Sequence, residues 1–108
     1  MANTFKLKTK ANVGVSTSNV YVVPSATTTV VIGVTLANTS GSSINVGVGV
    51  TRASTDDVKL MKNVPIPQGS SFEFMGGNKI VLETTDTIVA ESDVNSSLDV
   101  ALTIMEIT

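Results

Sequence analysis

SINVGVGVTR, residues 43–52, alternates an apolar residue with a small or polar one at every step. Ile44, Val46, Val48 and Val50 fall on one face of an extended chain, and Asn45, Gly47, Gly49 and Thr51 on the other. A period of two marks a strand with one side against a core. A helix would gather its apolar residues at i, i+3 and i+4, and its interior would suffer from so many glycines and β-branched side chains. The same alternation runs through SLDVALTIMEIT, residues 97–108, with Leu98, Val100, Leu102 and Ile104 opposite Asp99, Ala101, Thr103 and Met105. In TVVIGVTLANT, residues 29–39, it sets Val30, Ile32, Val34 and Leu36 against Val31, Gly33, Thr35 and Ala37. Little or no helix is expected.

Turn-forming clusters punctuate these runs: STSN at 16–19, PSAT at 24–27, NTSGSS at 38–43, ASTDD at 53–57, PQGS at 67–70, GGN at 76–78, TTD at 84–86 and DVNSS at 93–97. The segments between them are 4–9, 12–15, 19–23, 28–38, 43–52, 57–62, 71–75, 79–83, 87–92 and 98–107, giving about eight or nine strands with the weakest as loop. So many short strands in 108 residues imply one all-β domain. The expected fold is a single antiparallel β-sandwich, jelly-roll-like or immunoglobulin-like, spanning 1–108 with residues 1–10 as an N-terminal arm. In that arm Phe5 and Leu7 share one face and Lys6 and Lys8 the other. Pro65 and Pro67 lack backbone donors, so KNVPIPQGSSFEF, residues 62–74, reads as a protected edge or a strap between the sheets. Val64 and Ile66 would pin that strap inward, and Gly69 is free to take a positive φ in the turn after it.

Composition narrows the function. The hydrophobic fraction of 42% excludes a disordered chain, and a charged fraction of 15% leaves Ser, Thr, Asn and Gly to cover the surface. With a net charge of −2 and thinly spread cations, nothing suits a phosphate backbone. No run approaches the roughly 18–20 apolar residues of a membrane span, and no signal peptide is expected. No cysteine means no disulfide framework. No histidine removes the usual general base, the Ser-His-Asp arrangement and the common zinc sites. FMGGNK, residues 74–79, lacks the spacing of a phosphate loop.

What remains is weak. Asp56 with Asp57 could offer oxygen ligands to calcium, and Glu91 with Asp93 lie two apart, but solvated or interface charges are the simpler reading of both. The aromatic residues are Phe5, Tyr21, Phe72 and Phe74, a thin set for stacking on sugars, and Tyr21 most simply sits half-buried. Asn38 and Asn95 open N-x-S matches in turns. No catalytic residue, cofactor or metal is assigned. Gly47 and Gly49 lie opposite the core valines, either beneath a neighbouring strand or loop or on a flat surface where another subunit packs.

VYVVPSATTTVVIGVTLANTS (20–40), VPIPQGSSFEFMGGNKIVLETTDTI (64–88) and SSLDVALTIMEIT (96–108) occur in that order. Together they resemble small virion structural proteins of tailed bacteriophages of the marine and cyanobacterial type. The resemblance runs from about residue 20 to the end and rests on strand and turn signatures. It implies a β-sandwich in assembled particles, as capsid decoration or as a neck, tail or fibre component, and carries no catalytic or ligand residues. The expectation is a non-enzymatic, self-associating virion protein, a trimer or dimer that also contacts other virion proteins, with no nucleic-acid, membrane or small-molecule partner. Phe5, Leu7, Gly47, Gly49, Phe72, Phe74 and Met75 are its expected contact residues. The alternative is a carbohydrate- or cell-surface-binding module using Tyr21 and the Asp56–Asp57 loop.

Overall fold

The computed structural model describes residues 2–52, 57–74 and 79–108, with Phe74 described by its backbone alone. Nine strands are described: β1 (Asn3–Val13), β2 (Ser18–Val22), β3 (Thr28–Asn38), β4 (Ile44–Thr51), β5 (Val58–Ile66), β6 (Ser71–Phe74), β7 (Ile80–Leu82), β8 (Thr87–Ser92) and β9 (Leu98–Ile107). No helix occurs among the described residues. A five-stranded sheet runs β1-β9-β3, with β6 and β7 both paired to the far edge of β3, and a four-stranded sheet runs β2-β8-β4-β5. Every pairing is antiparallel.

The pairings are nested: β4 with β5, β3 with β6 and β7, β2 with β8, and β1 with β9. The chain is in effect one long hairpin wrapped into two layers, the order of a jelly roll in which the partner strand of β3 is split into β6 and β7. An immunoglobulin order would distribute the strands differently.

The inner faces close on each other as the period-two pattern requires. Ile44, Val46, Val48 and Val50 of β4 and Leu98, Val100, Leu102 and Ile104 of β9 are all buried. β3 departs from simple alternation. Its register against β9 shifts between Val31 and Gly33, so Ile32 is an extra residue that turns the strand over. Thr29 and Val31 therefore point inward before the bulge, and Val34 and Leu36 after it. The expected core position of Val30 is corrected: it lies on the outer face, level with Met105. Two other bulges use asparagine in the left-handed region, Asn12 (φ 58) in β1 and Asn63 (φ 55) in β5, where its short polar side chain tolerates the conformation.

Two further expectations are revised. Residues 4–9 and 12–15, read as separate strands, give way to one 11-residue strand that runs through both and ends at Val13; from Asn3 onward the stretch read as an arm is hydrogen-bonded along β9. Residues 63–66 are not a strap between sheets. They extend β5, with Ile44 opposite Ile66 and Asn45 opposite Pro65. Proline is accommodated because β5 is an edge strand, its missing donor facing no neighbour. Gly69 takes φ 71 in the turn that follows.

Candidate interaction surface

Strand β1 sorts its side chains in an unusual way. Phe5 and Leu7 point away from the sandwich, 69% and 66% exposed. The lysines that alternate with them point to the other side: Lys6 Nζ lies 2.7 Å from Glu106 Oε1, and Lys8 Nζ sits 5.9 Å from the centre of the Tyr21 ring. Of the eleven residues of β1 only Val13 is fully buried, so the strand is held mainly by its backbone ladder to β9.

Following the register outward from Phe5 crosses the whole sheet. Phe5 is opposite Met105, Met105 is opposite Val30, and Val30 is opposite Val81. Val81 is 61% exposed, and Met105 and Val30 are half-buried. The neighbouring row on the same face is Leu7, Thr103 and Gly33, and a Cβ built at Gly33 would meet nothing within 4 Å. On the other side Ile107 stands between Asn3 and Thr28. None of these outward side chains is ionisable. Further along, Thr9, Ala101 and Thr35 line a shallow hollow of about 210 Å³, and the acidic residues of the face, Asp99 and Glu73, lie at that distant end. This surface is a contiguous uncharged apolar row across four strands, the kind of patch that marks a protein contact.

The expected contact residues divide. Phe5 and Leu7 belong to this face. Gly47 and Gly49 lie on the outer side of the other sheet but are buried by their own chain. A Cβ at Gly47 would lie 3.4 Å from both Met61 O and Glu91 Cγ, and one at Gly49 would sit 2.7 Å from Val58 O. These glycines let β5 come close and let the Lys59–Glu91 pair, 2.8 Å apart, lie across the sheet. Phe72 is opposite Leu36, a register position on the core side of β6, and is 38% exposed there; Phe74 is opposite Val34 in the backbone ladder, and its side chain lies outside the described part. Met75 lies outside the described residues. Sequence reading missed Met105, Val30 and Val81 as members of the face. The alternation of β9 already placed Met105 outward, whereas Val30 was hidden by the bulge after it.

The candidates for chemistry are held in structural roles. Tyr21 is buried, not half-exposed, and its hydroxyl bonds Thr29 Oγ1 at 2.8 Å and donates to Glu106 Oε2 at 2.6 Å. Burial, then the hydrogen bond to Glu106, push its phenol up to about 12. The Lys6 ammonium, then the Tyr21 hydroxyl, hold the Glu106 carboxyl below the usual range. A buried, doubly bonded Tyr21 offers no ring for a sugar to stack on.

Asp57 accepts the amide of Arg52, and Asp56 lies outside the described residues. Glu91 pairs with Lys59, while Asp93 accepts the amide of Asn45. Both line an open groove of about 490 Å³, each with a separate partner. Among the described residues no three His, Cys, Asp or Glu side chains gather as a metal site. Asn38 is buried, its amide donating to the carbonyls of Ser42 and Ile66, so it ties β3 to β5 and presents no acceptor for a glycan. Among the described residues no helix is long and apolar enough to cross a membrane.

No known family and no curated protein matches this sequence. Solved structures do match the fold. A chain from Bacillus endospore appendages, described as a novel family of disulfide-linked pili, superimposes with a TM-score of 0.59 at 10% identity, covering 99% of this chain and 87% of that one. A chain from the acidic stable capsid structure of Helicobacter pylori bacteriophage KHP30 superimposes with a TM-score of 0.58 at 15% identity, covering 100% of this chain and 94% of that one. At such identities the likeness is one of fold.

Proposed function

We propose that this chain is a non-enzymatic virion structural protein of a tailed phage, a self-associating block used as capsid decoration or as a neck or tail accessory component. The observation that carries the reading is the row Phe5–Met105–Val30–Val81, an uncharged apolar band on the outside of a closed sandwich. Such a band is costly in a free monomer and useful where another protein covers it. The ionisable groups support the same view. Glu106, Asp86, Asp93 and Asp99 accept hydrogen bonds that hold the fold, and so are not poised for acid–base work.

Fold alone does not give function, and jelly rolls serve in lectins as well as in capsids. The likeness to chains of a pilus and a phage capsid fits a block that assembles, and the resemblance of the 20–108 sequence to phage virion proteins points to the particle. The test is incorporation. In a phage that carries this gene, mass spectrometry of purified particles should find the chain at a fixed copy number, and Phe5→Glu should keep it out. A chain missing from purified particles refutes the reading.

A further inference from the structure

We propose that the uncharged half of this outer face takes a second copy of the chain, two five-stranded sheets packing face to face about a two-fold axis. The inference rests on the building-block reading and names its first partner.

Association by extending a sheet is disfavoured at the long edges. β1 carries Lys6, Lys8 and Lys10 on its inward side, and β5 carries Pro65. Inward lysines and edge prolines are devices that keep strands from pairing with another molecule. The face itself has no such guard. From Asn3 to Leu7, Thr103 to Ile107 and Thr28 to Gly33, and at Val81, it presents no outward charge.

Charge matching favours a like partner. Each copy carries a net charge of −2, and on this sheet the outward acids Asp99 and Glu73 lie beyond the apolar half. Two copies can therefore meet without opposing charges, while a strongly basic or acidic partner would find nothing to pair with. A two-fold contact needs one patch that fits itself, which a neutral apolar row provides.

The size suits a weak, reversible pair. Four strands at about 4.8 Å and the five residues from Asn3 to Leu7 at about 3.3 Å give roughly 19 by 17 Å, or about 320 Å² in projection. The accessible area of a corrugated face exceeds its projection, which places the pair among weak contacts that bury less than about 1,200 Å² in total.

The experiment is sedimentation equilibrium of the full-length chain between about 1 µM and 1 mM, the range in which an interface of this size associates. A monomer–dimer equilibrium is expected. Phe5→Glu and Val81→Glu should each weaken it by about 30-fold or more, since a charge replaces a buried apolar side chain. Both positions are exposed in the monomer, so circular dichroism and thermal unfolding should show the fold intact.

As a second readout, the chain has no cysteine, so a single introduced thiol is unique. Leu7→Cys should yield a covalent dimer with a short bismaleimide, and Lys62→Cys on the other sheet should not. A monomer throughout this range, or a dimer indifferent to both charge substitutions, overturns the proposal. A monomer that still needs Phe5 to enter particles assigns the face to another virion protein and leaves the building-block reading standing. A dimer absent from purified particles does the reverse.

Discussion

Replacing Tyr21 by phenylalanine removes one oxygen and little volume, yet it should be among the most damaging conservative changes in this chain. The hydroxyl joins Thr29 on β3 to Glu106 on β9 from its own strand in the opposite sheet, so it ties the two layers together. Thr29 is 0% exposed and Glu106 5%, so neither regains a water freely when the hydroxyl goes. A hydrogen bond to a charged group contributes about 1.5–3 kcal/mol, and stranding a buried carboxylate oxygen adds to the loss. A destabilisation of about 2 kcal/mol follows, equivalent to roughly 8–15 °C in Tm for a domain of this size. The assay is urea unfolding at pH 7, repeated at rising alkaline pH.

The sign of the alkaline effect is fixed by the phenol. Its folded pKa, about 12, lies above the ordinary phenol value of 10.0, so the unfolded chain releases the proton first. Stability from Tyr21 is complete below about pH 10 and is lost as the pH climbs toward 12. Tyr21→Phe should remove that loss while lowering stability at neutral pH. If Tyr21→Phe is as stable as the parent at pH 7, or the alkaline loss persists in it, the reasoning about this network fails.

Two further substitutions probe neighbouring features. Gly49→Ala should cost about 1–3 kcal/mol, because its methyl would meet the Val58 carbonyl at 2.7 Å, whereas Gly33→Ala should change stability by less than about 0.5 kcal/mol; urea titrations in the Phe5→Glu background separate folding from association. Lys6→Met should flatten the acid limb: the lowered carboxyl of Glu106 contributes stability that is present above the ordinary glutamate range and lost as pH falls through its folded value, and removing its first cause shrinks that contribution. An unchanged acid slope on chemical unfolding would contradict the assignment.

Much of the architecture was legible because β4 and β9 alternate without interruption, and one clean period of two is enough to place Leu98, Val100, Leu102 and Ile104 in a core. Turn chemistry also located most strand ends. The jelly-roll order was not legible, since nested pairing depends on contacts between residues as far apart as Asn3 and Ile107. The misread strand faces and boundaries share one cause. A bulge inserts a residue that local pattern cannot reveal, so Ile32 inverted half of β3, and Asn12 and Asn63 hid the continuity of β1 and β5. The contact face was half visible for the same reason: Phe5, Leu7 and Met105 lie on regular stretches, while Val30 and Val81 join them only through the sheet register. Gly47 and Gly49 looked like a flat surface because sequence alone does not show how near β5 comes.

Side-chain labelling by hydroxyl radicals asks the central question most directly, by comparing dilute with concentrated protein. Phe5, Leu7, Val81 and Met105 should lose reactivity as the chain associates, while Val15, Val22 and Val58, also exposed but away from this face, should keep theirs. Protection of Val15, Val22 and Val58 with Phe5 and Leu7 left reactive would show that the molecule docks elsewhere, and the account would be wrong.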